Sequence, residues 1–256
     1  MNSDQEHRIG QFQPRIVYRK QCRLIFEENY TLKDRIFFTQ DFVDFFKELA
    51  ANNHKEWFDV HRKRYENTVK EPFKDFVQHL IVEFAKTNSE FSDLEAKDCI
   101  FRINRDIRFS ADKTPYKLYT SAVISPGGKK SRSLSGVYVE LTPEHVRVYG
   151  GVYEPDKDEV YDIRSHIASN PDEFSSLTQV SEFKKLFGEI RGEKNKILPP
   201  EFKQAAVKQP LIFNKQWYFF AEFTPDHIAL PGLDQLVISC YKTALPVSSF
   251  LLKSIN

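Results

Sequence analysis

Residues 101–117 form the part of the chain that is richest in side chains able to do chemistry. If a strand extends to Ser110, alternate residues place five polar side chains on one face of a sheet: Arg102, Asn104, Asp106, Arg108 and Ser110. Guanidinium groups that converge on one face can bind a carboxylate or a phosphate through paired hydrogen bonds. The segment therefore predicts a site for an anionic ligand, in which Asp106 would hold the neighbouring guanidinium groups in position.

The predicted anion site consists of basic residues and a few supporting ones. The predicted anion-binding side chains are Arg102, Arg105, Arg108, Lys113, Lys117 and Arg164. The supporting side chains are Asn53, Trp57 and Asp112. Arg164 lies beside Ile163 and Ile167 on a predicted helix, so it points either into a cleft or, along its apolar stem, to solvent. Asn53 also suits a helix N-cap, and Trp57 also suits the core.

Two other interpretations of the same segment stay open. In the first, the protein is an enzyme whose basic cluster stabilises a developing negative charge, with Asp106, Ser110 or Tyr116 as acid, base or nucleophile. Hydrolysis of a phosphoester or an acyl group is the reaction class, although the segment contains no histidine. In the second, the segment is a buried salt-bridge network that ties the loop to the sheet and serves only the fold, with internal pairs such as Asp106 with Arg108 or Asp112 with Lys117.

The sequence gives no sign of a metal or cofactor site. Cys22, Cys99 and Cys240 lie far apart, and His54 and His61 lack the spacing at which two histidines on one helix bind zinc. The glycine-rich patterns that bind dinucleotides and nucleoside triphosphates do not occur. We therefore expect neither a metal nor a cofactor.

The charge is balanced overall but concentrated locally. The chain has 37 basic and 36 acidic side chains, whereas residues 101–132 have eight basic and two acidic ones. The balance argues against a surface that attracts polyanions everywhere, and the concentration favours a local partner, either an anionic small molecule or nucleic acid. We expect no membrane contact, because the longest apolar stretch, Trp217 to Ala221, is short. The polar N-terminus and unpaired cysteines favour the cytoplasm.

Helical spacing dominates both ends of the chain. Phe42, Phe45, Phe46 and Leu49 predict a first helix, and Pro72 should break or kink the next helix after Lys70. Apolar residues recur at helical spacing again after Asp156, and a final helix from Leu233 should end near Pro246. Residues 1–37 show no clear period and are interpreted as an N-terminal extension.

Between these helices the apolar period changes to two. Val137, Val139 and Leu141 alternate with Tyr138 and Glu140, and further strands are predicted over Tyr119 to Ile124 and Trp217 to Phe223. Helices, then strands, then helices predict an α+β fold with an antiparallel or mixed sheet packed against helices and with helical N-terminal and C-terminal parts. Residues 38–256 are predicted to form a single domain.

The chemically rich segment resembles a family signature. The matching residues are Arg102, Ile103, Arg105, Asp106, Arg108, Phe109, Ser110, Asp112, Lys113, Pro115, Tyr116 and Lys117. They are similar to the signature of the bacterial and fungal family known as domain of unknown function 2461. Other pieces that agree in order include Asn52-Asn53, Trp57-Phe58, Arg62, Gly150-Gly151 and Arg164. The resemblance covers about residues 38 to 256, implies a compact α+β domain and implies no established activity.

Overall fold

The computed structural model of the chain describes residues 35–130 and 135–255. Within these residues the chain divides into two compact units. The first comprises residues 35–130, 139–147 and 222–238, and the second comprises residues 135–138, 148–221 and 239–255. Of the predicted N-terminal extension, only residues 35–37 are described, and the rest lies outside the described residues. The single domain over residues 38–256 stays a prediction, because compactness does not test whether a unit folds independently.

The first unit begins with helices that follow the predicted apolar spacing. They are α1 (Gln40–Ala51), α2 (Lys55–Tyr65), α3 (Glu71–Ala85) and the short α4 (Ala96–Cys99). Helix α1 buries Phe42, Phe45, Phe46 and Leu49 along one stripe, as their spacing predicts. Because that stripe is apolar and the opposite face is charged, helix α1 is held by packing rather than by its own propensity.

The predicted break before Pro72 is a change of helical pitch. A single π turn, Glu66–Lys70, joins α2 to α3, so the helical path continues without a gap. Pro72 has no N–H group, and its ring would crowd the carbonyl of Thr68 in a regular α-helix. The wider π turn before the proline removes that conflict.

The described residues form a four-stranded antiparallel sheet. Its strands are β1 (Thr120–Ile124), β2 (Val137–Leu141), β3 (Val146–Val152) and β4 (Trp217–Phe223), and they lie in the order β1-β2-β3-β4. Each strand therefore pairs with the strand next to it in sequence, as consecutive strands commonly do, even though several helices lie between β3 and β4. The antiparallel sheet with helices at both ends of the chain confirms the predicted α+β fold.

Within the first unit, the sheet residues alternate between apolar and charged. One face of this part of the sheet carries fully buried apolar side chains: Val139, Leu141 and Val146. Glu140 follows Val139 and Arg147 follows Val146, so these two charged side chains lie on the opposite face. Both of these charged residues are nevertheless buried. This part of the sheet therefore has one apolar face and one face with enclosed charges.

The second unit contains most of the later helices. They are α5 (Lys157–Ser169), α6 (Pro171–Gln179), α7 (Ser181–Phe187), α8 (Lys203–Lys208) and most of α9 (Leu233–Leu252). Asp156 and Glu159 cap the start of α5 reciprocally, each side chain accepting a hydrogen bond from the other's backbone N–H. Phe183 and Phe187 of α7 pack against Phe219 of β4, with ring centroids 4.8 Å apart in both pairs.

The last helix runs past the proline that was predicted to end it. Pro246 lies inside α9, and the residues after it, including Val247 and Leu251, are fully buried. The burial of these apolar residues offsets the cost of the missing hydrogen bond. By length and composition α9 could cross a membrane, but 61% of its apolar window is buried inside the protein, as in a core helix.

Candidate functional site

The chemically rich segment lies wholly in the first unit and forms an ordered loop on a short antiparallel base. Lys117 N–H donates to Ile103 O at 2.8 Å, and Arg105 N–H donates to Pro115 O at 2.9 Å. These bonds flank the pair Asn104 and Tyr116. We call residues 102–115 the basic loop.

The predicted strand does not continue to Ser110. The return hydrogen bond of the Arg105–Pro115 pair would need an N–H of Pro115 to donate to Arg105 O, and proline has no N–H group. Pairing therefore stops there and the chain leaves the sheet. The predicted row of five polar residues on one sheet face is wrong for this reason: beyond Arg105, residues such as Asp106 and Ser110 lie in the loop.

Arg105 and Asp112 close the interior of the basic loop. The Arg105 guanidinium lies 2.5 Å from a carboxylate oxygen of Asp112 and donates to Thr114 O at 3.1 Å. The Thr114 backbone N–H donates to the same carboxylate at 2.9 Å. This N–H and the Arg105 guanidinium lower the pKa of Asp112 to about 2. Arg105 therefore braces the loop, and Asp112 pairs with it rather than with Lys117.

Asp106 holds the guanidinium of Arg108 at the outer part of the loop. Nε of Arg108 donates to one carboxylate oxygen at 3.0 Å, and Nη2 donates to the other at 2.6 Å. The Arg108 side chain is 75% exposed, whereas that of Asp106 is only 11% exposed. A bidentate pair leaves part of the guanidinium's donors unused, so Arg108 presents N–H groups to solvent in a fixed orientation.

Two further cations lie on the surface of the basic loop. Arg102 is exposed and makes no hydrogen bond or ion pair with any residue that the structure describes. Lys113 is exposed, and its ammonium group donates to Ile107 O at 2.9 Å. Both cations therefore remain accessible to an incoming ligand. The ammonium group of Lys113 also links two parts of the loop through its bond to Ile107 O.

Phe109 is the residue of this loop that sequence reasoning misread. In a strand that extends to Ser110, alternation would place Phe109 on the apolar face opposite the polar row, but its side chain is 94% exposed, with the Arg108 Cζ 5.8 Å from its ring centroid. Without a strand there is no apolar face for it to join. The sequence did contain a sign of this exposure. Phe109 lies between the polar residues Arg108 and Ser110, in the part of the segment that cannot pair with the sheet because Pro115 has no N–H group.

Asn53 and Tyr116 anchor the base of the loop to the helices. The Asn53 side chain donates to Tyr116 O at 2.9 Å and accepts from Tyr116 N–H at 3.1 Å. The predicted N-cap role of Asn53 is wrong, because His54 occupies that position and accepts from the Trp57 N–H. The Tyr116 ring is buried and stacks on Phe58, with centroids 4.1 Å apart. Burial raises the pKa of Tyr116.

Trp57 and Ser110 occupy less distinctive positions. The Trp57 ring is half-buried and stacks on His61, with centroids 4.0 Å apart and planes 19° apart. Ser110 is half-buried in the loop and has no hydrogen-bond partner among the described side chains. Ser110 therefore has no hydrogen-bonded base among the described residues.

Lys117 lies inside the first unit rather than on its surface. It is only 4% exposed, and its ammonium group lies 5.6 Å from the ring centroid of Phe101 and 5.8 Å from that of Tyr119. Burial lowers its pKa to about 8, and the charge of Glu140 opposes the shift. Lys117 is thus enclosed by aromatic rings, out of reach of a surface ligand.

Arg164 belongs to the second unit. It lies on α5, is 5% exposed, and donates from Nη2 to Asn214 O at 2.8 Å. Burial lowers its pKa. Of the two orientations that the sequence left open, solvent exposure is wrong, because Ile163 and Ile167 lie on the buried side of the helix with it.

Sequence reasoning missed the enclosed charges of the first unit's sheet. His145 Nε2 lies 3.1 Å from Glu140, and Arg147 Nε donates to Glu222 at 2.7 Å. The signal was present, because Glu140 and Arg147 are single charged residues between apolar residues of valine-rich strands. Among the described residues, no group of three or more histidine, cysteine, aspartate or glutamate side chains could hold a metal ion.

Comparison with known proteins assigns the chain to a family. The chain matches no curated protein and no solved structure. One family model, described as conserved hypothetical protein (DUF2461), matches residues 41–250, which include the basic loop, the sheet and Arg164. The match spans most of the chain, and the chain therefore belongs to this family.

Proposed function

We propose that the first unit binds a phosphate-bearing anion at the exposed cations of the basic loop. The observation that carries the proposal is the bidentate pair of Arg108 with Asp106, which fixes a guanidinium that is 75% exposed. A fixed guanidinium binds an oxyanion at a smaller cost in side-chain entropy than a mobile one. Arg102 and Lys113 supply further positive charge in the same loop.

The proposal divides the predicted anion-binding residues by location. Arg102, Arg108 and Lys113 contact the ligand, because they are exposed. Arg105 instead stabilises the loop through its ion pair with Asp112. The ammonium group of Lys117 is buried near the rings of Phe101 and Tyr119. Arg164 is not part of the proposed site.

The structural alternative also has support, from the ion pairs of Arg105 with Asp112 and of Arg108 with Asp106. Each pair has one solvent-exposed partner, so screening by water keeps its contribution to stability small. They do not account for Arg102, which is exposed and pairs with no described residue. The enzyme alternative has less support, since Asp106 is committed to Arg108 and the Tyr116 ring is stacked on Phe58.

Isothermal titration calorimetry of the full chain with phosphate, pyrophosphate and adenosine triphosphate tests the proposal. We expect binding that Arg108→Ala weakens by about tenfold, the loss of one charge-assisted pair. Lys185→Ala is the matched control, because it removes one exposed positive charge from α7 of the second unit. Absence of heat with all three ligands at two well-separated temperatures, or equal effects of the two variants, would contradict the proposal.

A cytoplasmic location is also a proposal. Its support is that Cys99 and Cys240 are free thiols and fully buried. Free cysteines are usual in a reducing compartment.

A further inference from the structure

We propose that the phosphate-bearing partner of the basic loop is single-stranded nucleic acid, with Phe109 as the surface on which a base stacks. This inference rests on the proposed function, because it uses the same cations as phosphate contacts. It adds what a phosphate site alone does not need, which is an exposed aromatic ring.

The exposure of Phe109 is a property of an ordered loop. The ring is 94% exposed, although a phenylalanine normally buries most of its surface. Before it, Asp106 fixes Arg108 through its side chain and accepts from the Arg108 backbone N–H at 3.2 Å. After it, Lys113 donates to Ile107 O at 2.9 Å and so ties the two arms of the loop together. The structure therefore holds an apolar ring out in water.

The groups around Phe109 match the repeating unit of a nucleic acid strand. A nucleotide combines a flat base with a phosphate, and proteins that bind single strands combine aromatic rings with a positively charged path. Here Arg108 lies beside the ring, its Cζ 5.8 Å from the centroid, and its neighbours in the loop include exposed Arg102 and Lys113. A base can stack on Phe109 while the adjacent phosphates meet these cations.

A duplex and a lipid bilayer fit the loop less well. In a duplex the base faces are already stacked on one another, so Phe109 would find no free face. For a bilayer, Phe109 is the only exposed large apolar side chain among the described residues of the basic loop, which gives little area to insert.

Fluorescence anisotropy of the full chain with a labelled single-stranded oligodeoxythymidylate tests the inference. We expect Phe109→Leu, which keeps the apolar volume but removes the ring, to weaken binding by about fivefold to hundredfold, the range for loss of one stacked base. Phe109→Trp keeps a stacking surface and should retain affinity. Ile197→Ala is the matched control, because Ile197 is an exposed apolar residue of the second unit.

The salt dependence of the same binding gives a second measurement. If Arg102, Arg108 and Lys113 each contact a phosphate, log K should fall against log salt with a slope of about −2. Arg102→Ala should make that slope shallower by about 0.7, the share of one single-strand phosphate contact. Lys185→Ala should leave it unchanged.

The outcomes separate this inference from the proposed function. Phosphate binding that depends on Arg108, together with oligonucleotide binding that Phe109→Leu does not weaken, would overturn the inference and leave the proposed function intact. Phe109-dependent binding to phosphatidylserine vesicles without oligonucleotide binding would also overturn it, in favour of a membrane surface. If neither phosphate compounds nor oligonucleotides bind, both proposals fail.

Discussion

Asp106 determines, at the scale of single residues, what Arg108 can do. An exposed arginine ordinarily samples many rotamers, but a bidentate contact with a nearly buried carboxylate fixes the guanidinium plane. The carboxylate also neutralises part of the guanidinium's positive charge. The fixed orientation of Arg108 is therefore accompanied by a weaker electrostatic attraction for an anion. This balance suits a ligand that is recognised by geometry as well as by charge.

Lys117 illustrates the opposite case, a cation that the fold encloses. Its pKa is lowered from 10.5 to about 8, because burial disfavours the charged ammonium. The folded protein therefore releases this proton at a lower pH than the unfolded chain does. Linkage then requires the free energy of unfolding to rise as the pH increases from 8 to 10.5, by about 3 kcal/mol in total.

Unfolding in urea across this pH range, for the wild type and for Lys117→Met, measures that contribution. We expect the difference in unfolding free energy between the two proteins to change in favour of the wild type by about 3 kcal/mol between pH 8 and 10.5. Lys185→Met, at an exposed position, should instead run parallel to the wild type. Parallel curves for Lys117→Met would show that the ammonium is not buried as described.

At the scale of elements, the base of the basic loop is anchored to the turn between two helices. Asn53, in the turn between α1 and α2, makes two hydrogen bonds to the backbone of Tyr116, which pairs with Asn104. The turn between two helices therefore positions a loop far along the sequence, because the bonded residues Asn53 and Tyr116 are 63 positions apart. Contacts at this separation have no local signal in the sequence.

Neighbouring asparagines provide a matched test of this anchor. Asn53→Ala removes both bonds to Tyr116 and should lower the free energy of unfolding by about 1–2 kcal/mol, since it leaves two partly buried backbone groups unsatisfied. Asn52→Ala removes only an exposed bond to Glu48 O and should cost less than about 0.5 kcal/mol. Urea unfolding compares them, and amide exchange of Tyr116 should quicken only in the Asn53 variant.

Equal costs for the two variants, or unchanged exchange of Tyr116 in the Asn53 variant, would contradict the anchoring role. Either result would mean that the stacking of Tyr116 on Phe58 suffices to hold the base of the loop.

The sequence predicted the regular elements well and the basic loop poorly, for a physical reason. The spacing of apolar residues indicates which side of a helix or strand is buried. The buried stripe of α1 and the alternation in β2 could therefore be predicted from the sequence. The end of the predicted strand depended on one missing N–H at Pro115, which the alternation of polar and apolar residues obscured. The sequence predicted that the helix is interrupted before Pro72, but it did not predict that the interruption is a π turn. The way a helix adapts to a proline depends on how the helix packs against its neighbours.

At the scale of the whole molecule, the near balance of 37 basic and 36 acidic side chains conceals a local excess. The excess was predicted to act as one cluster, but the structure distributes it. Arg105 and Lys117 serve the interior of the first unit, Arg164 lies in the second, and Arg102, Arg108 and Lys113 are exposed. Side-chain chemistry could be predicted from the sequence, whereas exposure could not, because burial is decided by packing between distant segments.

A nuclear magnetic resonance titration of the full chain with inorganic phosphate tests the central claim most directly. Backbone amides and arginine Nε–H groups should both be observed, so that each cation is followed separately. Our account predicts saturable shifts at Arg102, Arg108 and Lys113, with no shift at Arg164. Shifts centred on Arg164, or no saturable shift at the three exposed cations, would contradict it.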